Sequence, residues 1–129
     1  MMIEEDRKWL INYLREEMKY TFLAGIVSSV NYPNWYRSNQ LRRETLRGDS
    51  PEEGSTLTLQ FLAFDTEPKY DFMTIKDGDG TVLLNPTSGD SLPPTILSKT
   101  NLVYLEFNSD GNTEKSGWSV EWFENLPKI

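Results

Sequence analysis

The chain has 129 residues, 13 of them basic and 20 acidic, with neither cysteine nor histidine. That composition excludes a Ser-His-Asp triad, a thiol nucleophile and any zinc site of thiolate or imidazole, so a bound metal must be held by oxygen, which favours calcium or magnesium. A net charge of −7 argues against nucleic acid as a partner, while 4 Trp, 6 Tyr and 6 Phe are enough to build one buried core and argue against a disordered chain.

From residue 6 to 20, Trp9, Leu10, Tyr13, Leu14 and Met18 recur at helical spacing, with Arg7, Lys8, Arg15, Glu16 and Lys19 filling much of the other face. No glycine or proline interrupts the run, which predicts an N-terminal amphipathic helix, packed on its own domain or docking another chain. Glu4, Glu5 and Asp6 stand where a secretory leader would be basic and then apolar. No stretch approaches the roughly 20 apolar residues of a membrane span, so membrane insertion is not expected.

After Phe22 the period changes to two. Leu57, Leu59 and Phe61 alternate with Thr56, Thr58 and Gln60, and the runs 71–75, 102–107 and 118–122 behave alike. Between them lie clusters of turn-forming residues: Asn31-Tyr32-Pro33-Asn34, Asp49-Ser50-Pro51, Asp77-Gly78-Asp79-Gly80, Ser88-Gly89-Asp90, Pro93-Pro94 and Asp110-Gly111-Asn112. Short strands with regular punctuation predict an all-β antiparallel sandwich or barrel. The expected organisation is a helix or linker over 1–21, a sandwich over 22–124 and a tail over 125–129.

These strand and turn residues, in order, resemble the CUB domain family. Gly25-Ile26-Val27-Ser28 leads to Asn31-Tyr32-Pro33 and Tyr36; Leu57-Thr58-Leu59-Gln60-Phe61 leads to Phe64-Asp65-Thr66-Glu67. Tyr70-Asp71-Phe72-Met73-Thr74-Ile75 then precedes Asp77-Gly78, and Leu102 to Phe107, Asn108-Ser109-Asp110 and Gly117-Trp118 close the pattern. The resemblance implies a jelly-roll-type antiparallel sandwich acting as a non-enzymatic interaction module. It also implies a calcium site, with Glu67, Asp71 and Asp110 as ligands, Asn112 as a further carbonyl donor and Tyr36 in support. The same loop end, Tyr36, Glu67, Asp71 and Asp110, is where such a domain receives a lysine or arginine of a protein partner.

Two departures from the family pattern stand out. The family's disulfides are missing; Arg42 or Arg43 falls where a cysteine is usual, and Glu44 where a tryptophan is common. Losing native disulfides costs a small domain about 2–5 kcal/mol, to be offset by burial of the tryptophans and of the helix around Trp9. The link from Glu67 to Asp71 is also shorter than the family's, which puts the geometry of the site at stake.

Three further motifs bear on function. Arg47-Gly48-Asp49 reads as an integrin-type adhesion tripeptide in a loop, and equally as ordinary hairpin chemistry. Asp77-Gly78-Asp79-Gly80 starts like a calcium-binding helical hand, but Val82 and Ser88 replace the required glycine and glutamate, so it reads as a tight turn. Asp65, Glu67 and Asp71 are close enough in sequence for acid–base chemistry, yet nothing indicates a substrate cleft, so an enzyme is not expected. Compartment pulls two ways: the missing cysteines and Asn-x-Ser/Thr acceptors suggest an intracellular protein, the family an extracellular one. The competing readings are therefore a calcium-dependent interaction domain, a purely structural domain of a large intracellular protein with no metal site, and adhesion through the tripeptide.

Overall fold

Alternating side chains decide the architecture. Leu57, Leu59 and Phe61 on one strand and Val103, Leu105 and Phe107 on another are buried, while their sequence neighbours face outward or sit part-buried; Trp118 and Val120 join the same core from a strand whose first four residues are all buried. Period-two burial of this kind gives each strand one wet and one dry face, and two dry faces pack into a sandwich. The computed structural model describes residues 21–49 and 54–127. The expected helix over 6–20 lies outside the described residues.

The described residues form β1 (Thr21–Ser28), β2 (Leu41–Arg47), β3 (Thr56–Asp65), β4 (Phe72–Asp77), β5 (Val82–Thr87), β6 (Ile96–Leu97), β7 (Leu102–Asn108) and β8 (Gly117–Asn125). They build two four-stranded sheets, in the orders β1-β8-β3-β6 and β2-β7-β4-β5, with every pairing antiparallel. Between the sheets Tyr36, Phe107 and Trp118 meet edge to face, at centroid separations of 5.0 and 5.9 Å.

Four strands were not marked by alternation in the sequence. All four are sheet edges: β1, β2, β5 and the two-residue β6. β2 reads Leu-Arg-Arg-Glu-Thr-Leu-Arg, and Leu46 is its one fully buried residue. β5 carries Pro86, which an edge tolerates because one side of the strand makes no ladder bonds. The turn at 77–80 is as expected: Gly80 N–H donates to the Asp77 carbonyl (2.9 Å), and Gly80 adopts φ 91°.

A polar contact also joins the two sheets. Arg42 faces inward from β2: its Nη1 donates to the Ser28 carbonyl on the opposite sheet (2.6 Å), its Nε and Nη2 engage Glu44 Oε1 (3.0 and 2.8 Å), and its guanidinium lies 5.5 Å from the centre of the Trp118 ring. Arg43 faces outward to Glu106. Tryptophan burial contributes through Trp118, fully buried, and Trp122, partly buried, whereas Trp35 is 63% exposed.

Candidate functional site

Three connections meet at one end of the sandwich: residues 36–40 before β2, residues 66–71 between β3 and β4, and residues 109–112 after β7. The second is a tight turn in which the N–H groups of Tyr70 and Asp71 both point at the Glu67 carbonyl (3.3 and 3.1 Å). Lys69 takes φ 71° inside it. The short link therefore folds Glu67 back towards Asp71.

Asp71 is the centre of this end. It is fully buried, and both its oxygens accept hydrogen bonds: Oδ2 from the Tyr36 hydroxyl (2.5 Å) and Oδ1 from the Asp110 N–H (2.8 Å). The Tyr36 oxygen in turn accepts the Glu67 N–H (3.1 Å). One phenol thus ties the Glu67 backbone to the Asp71 side chain. Burial, together with the hydrogen bond to Asp71, pushes the Tyr36 hydroxyl well above its ordinary range, so it remains a donor.

Carboxylate oxygens of Glu67, Asp71 and Asp110 all lie within 4.8 Å of one another. At that separation two unit charges repel by about 3 kcal/mol at an effective dielectric of 20. Glu67 Oε1 is buried with no hydrogen-bond partner, a costly state for a polar atom unless something else satisfies it. Three clustered carboxylates with an orphaned oxygen fit a hard divalent cation, which takes six to eight oxygen ligands. Asn112 is exposed and enters the arrangement through its N–H, which donates to Asp110 Oδ1 (3.1 Å).

Sequence reasoning passed over two positioning residues. Thr66 is buried; its Oγ1 donates to the Asp71 carbonyl (3.0 Å) and accepts the Gly89 N–H (3.0 Å), holding the turn against the next loop. Ser109 is buried as well; its hydroxyl donates to the Arg37 carbonyl (2.8 Å) and accepts the Gln40 N–H (2.9 Å), joining the first and third connections. Their signal was present only as hydroxyl residues beside acidic ones, a pattern shared with any turn.

The other candidates lie apart. Asp65 closes β3, where its Oδ2 accepts from Ser116 (3.0 Å). Arg47 ends β2 opposite Leu102, Gly48 is buried with its N–H on the Asn101 carbonyl (2.9 Å), and the exposed Asp49 has its N–H on Glu124 Oε1 (3.0 Å). The tripeptide thus runs from a strand end into a hydrogen-bonded segment.

The fold and site define an all-β antiparallel sandwich of jelly-roll type with three acidic residues gathered at one loop end. The CUB domain family model matches residues 17–122, and the chain belongs to the CUB family. It is 35% identical to human cubilin over 112 residues (80% of this chain, 3% of cubilin) and 32% identical to bone morphogenetic protein 1 of Xenopus laevis over 109 residues (80% of this chain, 15% of that protein). The chain therefore spans a small fraction of these curated relatives. Among solved structures, the MASP-1 CUB2 domain bound to Ca2+ superimposes with a TM-score of 0.67 at 29% identity, covering 80% of this chain and 91% of that one. The CUB1-EGF-CUB2 segment of human MASP-1/3 gives 0.69 at 31% identity, covering 81% and 39%. CUB domains of this kind are non-enzymatic protein-interaction modules, and some bind Ca2+.

Proposed function

We propose that this domain is a calcium-dependent protein-interaction module whose acidic loop end receives a lysine or arginine side chain of its partner. The observation that carries the reading is the convergence of Glu67, Asp71 and Asp110 within 4.8 Å around a buried, unpartnered Glu67 Oε1. The Ca2+-bound MASP-1 CUB2 relative supports the choice of ion. Bound calcium would supply the positive charge that lets three carboxylates share one site. Asp71 has its orientation set by Tyr36 and by the Asp110 N–H before any ligand arrives. Glu67 and Asp110 are only part-buried, so their oxygens can serve both an ion and an incoming ammonium or guanidinium, the charge-assisted contact that a carboxylate makes most strongly.

Calorimetric titration with calcium tests the reading. A native-state ligand at a hundred times its dissociation constant stabilises by about 2.7 kcal/mol, so calcium is expected to raise Tm in the wild type and to do nothing in Asp110→Ala. A lysine-containing peptide is expected to bind only with calcium present, and its acetyl-lysine counterpart not at all. Undiminished calcium binding by Asp110→Ala refutes the ligand set. No heat and no Tm shift in the wild type with millimolar calcium leaves the structural-domain reading in its place.

A further inference from the structure

A groove of about 370 Å³ crosses the outer face of the second sheet. Its place follows from the register. Thr45, Tyr104, Lys76 and Val82 stand in one row across the four strands, and Arg43, Glu106 and Thr74 in the next. The chain neighbours Met73, Ile75, Val103 and Leu105 are buried in the core, so the side chains that alternate with them face solvent. The edge strand β5 supplies the hollow. From the pairing of Lys76 with Val82 to that of Met73 with Thr87, β5 takes five residue steps against three on β4, and extra residues bend a strand. Asn85 and Pro86, inside that stretch, line the groove.

The lining divides by chemistry. Tyr104 (44% exposed), Val82 (47%) and Pro86 offer an apolar strip. The exposed Lys76 ammonium has no ion-pair or hydrogen-bond partner among the described residues, and neither do the side chains of Thr74 and Asn85. Glu106, the one acid in the lining among the described residues, is already held by Arg43 Nε at 3.0 Å. An incoming cation would have to compete with Arg43, whereas a carboxylate meets a free ammonium and makes a charge-assisted hydrogen bond. The net charge of −7 opposes an acidic ligand at long range, but salt screens that repulsion beyond about 10 Å at 0.1 M and leaves the local contact. The volume lies at the small end of the range for binding sites, which suits a pair of side chains.

We propose that this groove receives an extended segment of a protein partner, with a carboxylate side chain on Lys76 and an aromatic or aliphatic side chain two residues away on Tyr104, Val82 and Pro86. Alternate side chains of an extended chain face the same way, so both reach the sheet together. The site is independent of calcium and of the acidic loop end, and it takes a ligand of the opposite charge.

The probe is the peptide acetyl-Thr-Glu-Thr-Phe-Thr-amide, titrated to millimolar concentration into the isotope-labelled full chain and followed by amide chemical shifts. Saturable shifts are expected at Thr74, Lys76, Val82 and Tyr104, with or without calcium. Binding is expected to weaken about tenfold or more when glutamine replaces the glutamate of the peptide, and equally in Lys76→Gln. Arg43→Gln should weaken it as well, because Glu106 is then left charged and unpaired beside the ligand. Lys99→Gln removes an exposed cation outside the groove and should change nothing. All three substituted residues are exposed, and an unchanged Tm confirms that each variant is folded. Absence of saturable shifts at the groove, or undiminished binding of the glutamine peptide or by Lys76→Gln, overturns the proposal. Phenylpropionate binding as tightly as the peptide also overturns it, and assigns the groove to a small aromatic acid.

Discussion

Replacing Tyr36 by phenylalanine deletes one oxygen and leaves the ring on Phe107, so the change tests the loop network without opening a cavity. That oxygen donates to Asp71 Oδ2 (2.5 Å) and accepts the Glu67 N–H (3.1 Å). The first bond is charge-assisted and contributes about 1.5–3 kcal/mol; the second leaves a part-buried donor without an acceptor, at the lower end of a 1–3 kcal/mol range. Together they predict a loss of about 3 kcal/mol, which for a domain near 100 residues lowers Tm by about 12 °C or more. Urea unfolding followed by tryptophan fluorescence measures it, and the midpoint should fall with an unchanged slope. The same substitution alters the alkaline limb. The Tyr36 hydroxyl titrates above its unfolded value because it is buried and bonded to Asp71. Its contribution is therefore complete below about pH 10 and is lost as pH rises beyond that towards the folded value. Tyr36→Phe should lose stability less steeply above pH 10 than the wild type. A change in stability of less than about 0.5 kcal/mol, the size of an ordinary surface substitution, would refute the reasoning.

Two further predictions concern the scaffold. Burial opposes charge on Asp77, but hydrogen bonds from the Thr100 hydroxyl and the N–H groups of Lys99 and Gly78 outweigh it and hold the carboxyl below its usual range. A carboxyl depressed in the folded state stabilises above its unfolded value, about 3.9, and that stability disappears as pH falls through the folded value. Urea midpoints between pH 5 and 2 should accordingly drop less in Asp77→Asn than in the wild type, and parallel curves would show that Asp77 is not responsible. The two neighbouring arginines should separate cleanly. Arg42→Ala removes the cross-sheet bond to Ser28, the Glu44 pair and the Trp118 contact, for a loss of about 2 kcal/mol in thermal or urea unfolding. Arg43→Ala breaks only an exposed pair with Glu106, whose usual worth is about 0.2–1 kcal/mol. Equal effects would mean that Arg42 does not join the sheets.

In a chain without cysteine, Arg42 joins the two sheets by non-covalent contacts alone. A covalent bridge acts largely by restricting the unfolded chain. A guanidinium acts only in the folded state, through a bond to the opposite sheet and the face of Trp118.

Strands in the middle of each sheet were legible because both neighbours and the opposite layer act on them, leaving clean alternation such as Leu57, Leu59 and Phe61. Edge strands were not, since β2 can carry three arginines and a glutamate while burying only Leu46 fully. Likewise Tyr36, Glu67, Asp71 and Asp110 were named on resemblance, whereas Thr66 and Ser109, which hold the loops together, looked like any hydroxyl beside a turn.

By itself the sequence determined which side chains of the central strands face the core and which chemistries have no residues to perform them, because periodicity and composition are local properties of the chain. Whether the acidic residues would meet was decided by the tertiary structure alone. Asp71 touches Tyr36 across 35 residues and Asp110 across 39, contacts that exist only once two sheets have closed and brought three loops to the same end. Spacing along a chain says nothing of that distance, since packing between layers, and not the linear order of residues, sets how near two carboxylates come.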